Sequence, residues 1–467
     1  MCAAAILPAL LPETSRIRMG KRTKTAIVVN PWVTDFKLYD EWMHPLGLYF
    51  LISLLEHNRW DTHYVNCLAC DWRKKYGTGE FLAHDTAKPE TYAAVPRKYK
   101  RYGIPESELA RCLNECPRPD IVFVGGMMTY WIQGLRQTIE TIARMLPGVP
   151  VVAGGIPARL MPECLGEAIP EAVLCNADLL SEPSKLAGLH PALRDLETND
   201  WHPGLVPALR LAHNRHHAPV LATLGCPFRC SYCASSCLQP RFVHRDISTV
   251  LEEILFAAGH LGVRDFAFCD DALQCDSKTN FLVLLSALQE RGLPLRFHTP
   301  NGLHIRLATD RVLGAMRESG FATLRFGYES GQARFDIDTA SKAGRNELAR
   351  GIARIREAGF DLGSVGVYLM AGLPGQLPDD VAEEMRFITS LGVLVKPVFL
   401  SPVPGTGLFQ TYARMFPRLR DDPLWHNDTF FVTRLPGWDW SCADEIRQGA
   451  KMLNAGAREK ETAEKSD

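Results

Sequence analysis

Three cysteines lie within eight residues of one another and are the clearest chemical signal in the chain. Cys226, Cys230 and Cys233 follow the spacing Cys-x3-Cys-x2-Cys. Three thiolates at this spacing can hold three irons of a cubane cluster and leave the fourth iron without a protein ligand. Clusters that only carry electrons generally use four cysteines, so a three-cysteine site implies an external ligand on the open iron. An open coordination position is a place for chemistry, as it is on a catalytic zinc.

A fourth cysteine leaves two other metal sites open. Cys237 can complete a zinc site with the same thiols, or a closed ferredoxin-like cluster, because Cys230, Cys233 and Cys237 match part of the bacterial ferredoxin spacing. Leu238, however, stands where that spacing has proline, and the leading Cys-x2-Cys is absent. We therefore favour the open three-cysteine site.

The composition is that of a globular protein with reduced thiols. A length of 467 residues suggests roughly two to three domains, and 46% of the residues are hydrophobic. The formal net charge of −1 gives no electrostatic reason to expect a nucleic-acid partner. The 14 cysteines favour a metal or cluster site over disulfides, because a chain of this length does not need disulfides to stabilise its core.

The amino-terminal segment shows no targeting signal. Residues 1–23 have no periodic pattern and are expected to form a leader. Their apolar stretch has no basic residue before it, which makes it a poor signal peptide. No apolar run reaches about 18 residues, so no membrane span is expected. We expect a cytoplasmic protein.

Alternating strands and helices predict a first domain over residues 24–190. The pattern is typical of a parallel, doubly wound α/β domain that is Rossmann-like and specifically flavodoxin-like, in which ligands bind at the carboxyl ends of the strands. The predicted strands are Thr25–Pro31, Thr62–Asn66, Asp120–Gly125 and Val149–Gly155, and the predicted helices are Pro45–His57 and Gln133–Leu146.

A second alternating series is expected over residues 219–405, after a linker over residues 191–218. Six strands with helices between them predict a partial (β/α)6 barrel, with its chemistry in the loops at the carboxyl ends of the strands. Residues 406–467 are expected to form a small, mainly helical C-terminal extension. The candidate strands are Val220–Leu224, Asp265–Cys269, Leu295–Thr299, Thr323–Tyr328, Leu362–Met370 and Lys396–Leu400.

The cysteine motif resembles the signature of the radical S-adenosylmethionine (radical SAM) superfamily. The resemblance rests on the three cysteines and on an aromatic residue, Tyr232, directly before the last of them. It implies that Cys226, Cys230 and Cys233 ligate a 4Fe–4S cluster whose free iron chelates S-adenosylmethionine. Reduction then cleaves the sulfonium to methionine and a 5′-deoxyadenosyl radical. A low-potential electron donor of the flavodoxin or ferredoxin type is implied as a partner.

Downstream segments resemble the radical SAM class that carries a cobalamin-binding domain at its amino end. The resemblance makes Glu329 a candidate contact to the amino group or ribose of S-adenosylmethionine. Asp270 and Asp271 stand where the superfamily usually has Gly-Gly-Glu, so which carboxylate binds is open, and Asp271 is also typical of a helix cap. Gly372 and Gly375 are candidate contacts to the same ligand and are equally typical of tight turns.

The first domain resembles the cobalamin-binding domains of this class. Their cobalt motif is Asp-x-His-x-x-Gly, whose histidine can replace the cofactor's own base as the lower ligand. Thr129, Trp131 and Gly134 occupy these positions here. An indole nitrogen only donates and cannot ligate cobalt. If cobalamin binds, Trp131 is therefore expected to cover its lower face with no protein nitrogen on the metal.

Two further glycines belong to the same resemblance. Gly154 and Gly155 follow the fourth predicted strand and allow a cofactor to approach the backbone closely. The alternative for this domain is a degenerate Rossmann-like fold that has lost the cofactor.

The resemblance implies an enzyme that methylates an unactivated carbon of a small-molecule or peptide substrate, with a 4Fe–4S cluster, S-adenosylmethionine and cobalamin as cofactors. Related enzymes also catalyse cyclisations and rearrangements, so a cobalamin-independent or non-methylating radical reaction is the alternative. A tRNA methylthiotransferase fits less well, because the tail has no clear RNA-binding β-barrel pattern and the charge is neutral. A zinc- or cluster-stabilised binding module leaves three thiols at a barrel mouth unexplained.

Four weaker signals have ordinary structural interpretations. Cys67 and Cys70 form a Cys-x2-Cys pair without further partners, and the basic, aromatic segment Arg97–Gly103 is expected to be a solvated loop. His298 and His304 lie near the third barrel strand and are expected to be structural histidines.

Overall fold

The structure is a computed structural model that describes residues 23–68, 72–73, 79–198, 206–212, 216–330 and 343–464. Contacts divide the chain into two compact units. The first comprises Met1–Arg215 together with Asp421–Leu424, and the second comprises His216–Arg420 together with Trp425–Asp467. Residues 1–22 of the predicted leader, residues 199–205 and 213–215 of the predicted linker, and Cys70 lie outside the described residues.

The first unit contains a five-stranded parallel sheet with the order β10-β9-β8-β1-β3. The described strands of the first unit, inside and outside this sheet, are β1 (Thr25–Asn30), β2 (Val33–Asp35), β3 (Asp61–Asn66), β4 (Trp72–Arg73), β5 (Gly79–Glu80), β6 (Ala83–Asp85), β7 (Lys100–Tyr102), β8 (Ile121–Gly126), β9 (Val151–Gly155) and β10 (Ala172–Leu174). Its helices are α1 (Leu46–His57), α2 (Glu106–Glu115), α3 (Ile132–Met145), α4 (Ile156–Leu160), α5 (Pro162–Ala168) and α6 (Ser184–Ala187).

The strand order confirms the predicted flavodoxin-like α/β domain. The chain passes from β1 to β3 on one side of the sheet centre and from β8 to β9 on the other. The order therefore reverses between β1 and β8, and a doubly wound sheet opens its ligand crevice at the carboxyl ends of those two strands. All six residues of β1 are buried, as expected for a strand at the centre of a parallel sheet.

The first unit also contains an antiparallel sheet with the strand order β2-β7-β6. The expectation of a solvated loop over Arg97–Gly103 is wrong for its aromatic residues, because Tyr99 and Tyr102 are buried. Arg101 lies over the Trp32 ring at 4.4 Å. Alternating strand geometry points the aromatic residues inward, which the composition of the segment does not reveal.

The second unit contains the predicted partial barrel. Its parallel sheet has the order β11-β14-β15-β17-β18-β19, and β16 pairs with β17. The strands are β11 (His217–Val220), β12 (Thr223–Leu224), β13 (Val243–His244), β14 (Asp265–Phe268), β15 (Arg296–His298), β16 (Leu303–His304), β17 (Phe321–Glu329), β18 (Val365–Ala371) and β19 (Leu394–Phe399). The helices are α7 (Ser235–Leu238), α8 (Ile247–His260), α9 (Phe281–Arg291), α10 (Asp310–Glu318), α11 (Arg345–Glu357), α12 (Pro378–Ser390), α13 (Gly407–Met415), α14 (Asp428–Phe431) and α15 (Trp440–Glu464).

The predicted helical C-terminal segment packs on the barrel. Helix α15 lies against α12 and β19. The side-chain amide of Asn454 accepts from the N–H of Val395 at 2.8 Å and donates to its carbonyl at 2.8 Å. These two bonds satisfy the backbone of an edge strand, which otherwise offers an open template for pairing. No described helix combines the length and apolar content that a membrane crossing requires.

His298 is a structural residue, as expected. It is fully buried, its Nδ1 lies 2.9 Å from Thr323 Oγ1, and its Nε2 lies 3.0 Å from Asp265 Oδ1. Burial lowers the pKa of His298 to about 4. The neutral ring thus donates from Nε2 to Asp265 and accepts from Thr323 at Nδ1.

The first barrel strand lies earlier than the predicted Val220–Leu224 and shares only Val220 with it. It spans His217–Val220, and Thr223–Leu224 pairs with β13 instead. The cause is the side chain of Asp270, whose Oδ1 accepts from the N–H groups of Ala222 (2.9 Å) and Thr223 (2.5 Å) and from the Thr223 hydroxyl (2.7 Å). A carboxylate thus replaces the partners that a continued sheet would supply.

A buried arginine binds the same corner of the chain. Arg245 donates from its backbone N–H to the Ala222 carbonyl at 2.9 Å and from Nη1 to the Leu221 carbonyl at 2.8 Å. It also forms a buried ion pair with Glu253. The corner that leads into the cysteine loop is therefore clamped by Asp270 and Arg245 together.

We predict that removing the Asp270 carboxyl unfolds this corner. Asp270→Ala leaves three buried donors without their acceptor, and each such donor costs about 1–3 kcal/mol. We expect a loss of about 3 kcal/mol in the stability of the apo protein, measured by thermal unfolding. A thermal midpoint equal to that of the parent would contradict the clamp.

The stability difference between the Asp270→Asn variant and the parent should change with pH in a direction that can be predicted. Burial raises the pKa of Asp270 to about 7, so the folded protein binds this proton more tightly than the unfolded chain does. The stabilisation is complete below an ordinary aspartate pKa of about 4 and is lost as the pH rises through 7. Asp270→Asn keeps the accepting oxygen but does not titrate. Its thermal midpoint, measured relative to that of the parent, should therefore rise between pH 5 and pH 8, and a constant difference would contradict the assignment.

Candidate functional site

The cysteine loop lies between β12 and α7, in the connection that leaves the first barrel strand. Gly225 begins the loop with φ +73°, and a Cβ there would lie 2.5 Å from the Arg241 carbonyl oxygen. The N–H of Cys233 donates to the Cys230 carbonyl at 3.0 Å, which forms a turn between these two cysteines. All three predicted ligands are partly exposed, and none of the described cysteines forms a disulfide.

Three thiols in one loop offer soft donors, which both a 4Fe–4S cluster and a zinc ion accept. Among the described residues, no three His, Cys, Asp or Glu side chains are grouped as they are around a single metal ion. Burial raises the pKa of the Cys226 thiol to about 11, and a bound metal would favour its thiolate. That the three cysteines hold a cluster stays a prediction.

Cys237, the alternative fourth ligand, lies outside the loop on the short helix α7. It is exposed, and its Sγ lies 3.5 Å from the Gly405 carbonyl oxygen. Whether this thiol is a fourth ligand stays open.

The two neighbouring aspartates have different roles. Asp270 is buried and its Oδ1 is used by the backbone of the corner. Asp271 is exposed, and its Oδ2 accepts from the Ser235 hydroxyl at 2.7 Å, while the same hydroxyl lies 3.2 Å from Cys233 Sγ. Asp271 does not cap a helix, because α9 begins only at Phe281. Of the two carboxylates, Asp271 is the one accessible beside the cysteine loop.

Glu329 is buried at the carboxyl end of β17. Its Oε1 accepts a hydrogen bond from the Tyr232 hydroxyl at 2.6 Å, which brings this carboxylate to the cysteine loop. Its backbone is left-handed, with φ +61°, which is rare for a residue with a side chain. The structure therefore places Glu329, Asp271 and the three cysteines in one region.

Gly372 and Gly375 lie in a tight turn after β18. Their φ angles are +99° and +75°, which favour glycine. The side chain of Gln376 closes the turn, because its Oε1 accepts from the N–H groups of Gly372 (2.8 Å) and Leu373 (3.1 Å). The turn alone accounts for both glycines, and their contact with S-adenosylmethionine stays a prediction.

Sequence reasoning missed Ser235 and Arg245. Ser235 links Cys233 to Asp271, and Arg245 holds the corner before the loop. No sequence pattern distinguishes this serine or this arginine from surface residues, since their partners are distant in the chain.

In the first unit, the predicted cobalt-motif residues follow β8. Thr129 and Trp131 lie in one 3-10 turn, and both are buried. Trp131 Nε1 donates to Asp35 Oδ2 at 2.8 Å, and the ring packs in an apolar cluster with Val33 and Tyr130. Because the indole N–H is already bonded to Asp35, Trp131 offers only ring carbons to the crevice.

Gly134 has a clear packing role. It lies in α3, and a Cβ there would be 2.3 Å from the Trp32 carbonyl oxygen. This glycine allows α3 to approach the segment between β1 and β2. Close packing thus explains Gly134 without a ligand.

The carboxyl ends of β8 and β9 form a floor of paired glycines. The register pairs Gly125 with Gly154 and Gly126 with Gly155. Gly155 has φ +93°, and a Cβ there would lie 2.1 Å from the Gly126 carbonyl oxygen, whereas the nearest atom to a Cβ on Gly154 would be 3.5 Å away. Gly155 is therefore required by the backbone, and Gly154 is not.

A narrow apolar cleft opens beside this glycine floor at the reversal of strand order. Its lining includes Asn30, Trp32, Gly125, Gly126 and Trp131. Side-chain-free strand ends and an indole wall let a ligand approach the backbone here, and the Thr129–Gly134 motif contributes no metal-binding nitrogen. That the ligand is a corrinoid stays a prediction.

Relatives among curated proteins are methyltransferases. The cytidylyl-2-hydroxyethylphosphonate methyltransferase of Streptomyces wedmorensis is 21% identical, and the match covers 85% of this chain and 84% of that protein. The bacteriochlorophyllide d C-12(1)-methyltransferase of Chlorobaculum tepidum is 27% identical over 44% of this chain. An uncharacterized methyltransferase of Pyrococcus horikoshii is 26% identical over 41% of this chain. The chain spans only 45% and 41% of the lengths of the latter two.

Two solved structures share the fold. The radical S-adenosylmethionine methyltransferase TsrM from Kitasatospora setae, with tryptophan substrate and a SAM analogue bound, matches with a TM-score of 0.62 at 15% identity, over 84% of this chain and 76% of that one. The cobalamin-dependent S-adenosylmethionine radical enzyme OxsB matches with a TM-score of 0.56 at 13% identity, over 90% of this chain and 57% of that one. At these identities the likeness establishes the fold.

The family model described as the radical SAM superfamily matches residues 220–388. This range begins at the last residue of β11 and contains the cysteine loop, both aspartates and Glu329. Residues 220–388, with the cysteine motif at the carboxyl end of the partial barrel, therefore match the radical SAM superfamily.

Proposed function

We propose that the chain is a cobalamin-dependent radical SAM enzyme that methylates an unactivated carbon of a small-molecule or peptide substrate. One observation carries the proposal: a three-cysteine loop at the mouth of a partial barrel occurs in the same chain as a flavodoxin-like unit with a glycine floor at its ligand crevice. The proposal is supported by the fold that the chain shares with TsrM and OxsB and by its similarity to methyltransferases.

The chain's own residues have defined tasks in this function. Cys226, Cys230 and Cys233 would hold the cluster, which together with cobalamin supplies reductive cleavage of S-adenosylmethionine and methyl transfer. Asp271 and Glu329 present carboxylate oxygens beside the loop, where they would accept hydrogen bonds from the amino group or ribose of S-adenosylmethionine. Asp270 and Arg245 keep the loop in place.

The reaction also implies a partner and a reducing compartment. The cluster requires a low-potential electron donor, and a reduced cluster held by thiolates is expected in a reducing compartment such as the cytoplasm.

The first test counts cofactors on one sample. The protein is purified anaerobically with hydroxocobalamin supplied and reconstituted with iron and sulfide. We expect about four irons and one tightly held corrinoid per chain, and label transfer from methyl-labelled S-adenosylmethionine. Four irons without corrinoid would favour cobalamin-independent radical chemistry, and a single bound zinc would overturn the proposal.

We predict that the three motif cysteines alone carry the cluster. Replacing Cys226, Cys230 and Cys233 together with alanine should abolish the brown chromophore and reduce iron to near zero. Cys237→Ala is the matched control, since it removes an exposed thiol outside the loop and should leave the iron content unchanged. A marked loss of iron in that control would favour a four-cysteine site.

We predict that a side chain on the glycine floor blocks the corrinoid. Gly154→Val adds atoms where the nearest neighbour of a Cβ is 3.5 Å away, so the fold should tolerate it while bound corrinoid falls at least tenfold. Iron content and the thermal midpoint serve as controls and should stay at parental values. Corrinoid binding equal to that of the parent would place the cofactor elsewhere.

A further inference from the structure

We propose that Tyr232 and Glu329 form a positioning pair: the tyrosine hydroxyl holds the glutamate in the orientation that binds S-adenosylmethionine. The proposal rests on the proposed function and adds a role for a hydroxyl group that the cysteine motif does not require, since the motif asks only for an aromatic ring.

The pair joins two distant parts of the barrel. Tyr232 lies between Cys230 and Cys233 in the loop, and its hydroxyl donates to Glu329 Oε1 at 2.6 Å. In the chain, Tyr232 directly precedes Cys233, the last cysteine of the motif. One side chain therefore connects the cysteine loop with the carboxylate at the end of β17.

The backbone of Glu329 is strained in a way that serves this contact. It is left-handed, with φ +61°, and the register between β17 and β18 shifts between Gly327 and Glu329. Such irregularities at a strand end re-aim a side chain, and a strained residue persists only where its surroundings over-determine it.

The preceding residue supplies part of that restraint. Tyr328 donates to Glu384 Oε2 at 2.9 Å, and Arg345 Nε donates to Glu384 Oε1 at 3.0 Å. Glu384 is fully buried on α12. The strand is thus anchored to its covering helices at Tyr328, while the next side chain is directed to the cysteine loop.

A held carboxylate binds a ligand better than a rotating one. An ionised carboxylate has about four acceptor sites, so one bond from Tyr232 leaves capacity for donors of a ligand. Fixing the rotamer in advance removes part of the ordering cost of binding. Tyr232 therefore acts through Glu329 as a positioning residue.

The test compares Tyr232→Phe with the parent holoenzyme. This variant keeps the ring and removes only the hydroxyl, so we expect unchanged iron content and about tenfold weaker binding of S-adenosylmethionine. The change that this ligand produces in the EPR spectrum of the reduced cluster should also be altered. Tyr99→Phe is the control, because it removes a buried tyrosine hydroxyl that donates to the Thr34 carbonyl in the first unit, which does not contain the cysteine loop, and it should change the affinity less than twofold.

A double-variant cycle shows whether the hydroxyl acts through the carboxylate. Glu329→Gln retains an accepting oxygen for Tyr232, so removing the hydroxyl should still weaken binding in that background. In the Glu329→Ala background the same removal should have no further effect.

Each remaining outcome is decisive. Parental affinity and an unaltered EPR spectrum in Tyr232→Phe would overturn the pair while leaving the proposed function intact. Loss of iron in Tyr232→Phe would also overturn it, because the hydroxyl would then serve cluster assembly. A parent protein that binds neither iron nor S-adenosylmethionine would instead overturn the proposed function.

Discussion

The geometry of the candidate site depends on a three-residue corner that is held by side chains where the main sheet of the barrel ends. After Val220 the chain leaves the barrel, and the backbone groups of Leu221, Ala222 and Thr223 find their partners on Asp270 and Arg245. Buried backbone groups must be paired, so these two residues fix the direction in which the chain continues. The direction of this corner sets where Cys226 begins the cysteine loop.

At two places in this unit, neighbouring residues make contacts of different kinds. Asp270 faces inward and holds backbone donors, whereas Asp271 is accessible beside Ser235 and Cys233. Tyr328 is tied to Glu384 under the helices, whereas the following residue, Glu329, contacts Tyr232. In each pair, one residue anchors the backbone so that the next can be presented with little freedom.

The crevice of the first unit has a different structural origin. It follows from the strand order, which reverses between β1 and β8, and a doubly wound sheet opens a ligand crevice at such a reversal. Its surface there consists of glycines in register and of an indole that is tied to Asp35. The indole N–H of Trp131 is bonded to Asp35, and Gly134 is required by the packing of α3. The residues at the positions of the cobalt motif thus keep its spacing but not its chemistry.

The sequence alone determined the architecture and singled out the three cysteines. Alternation of apolar strands and helices indicates parallel sheets, and three cysteines within eight residues lie in one loop because the chain between them is short. The tertiary structure decided what depends on partners far along the chain. The end of β11 at Val220, the different contacts of Asp270 and Asp271, and the Tyr232–Glu329 contact all arise from residues that are 36 to 97 positions apart. Local propensity carries no information about such pairings, which are set by strand order and register once the sheet has formed.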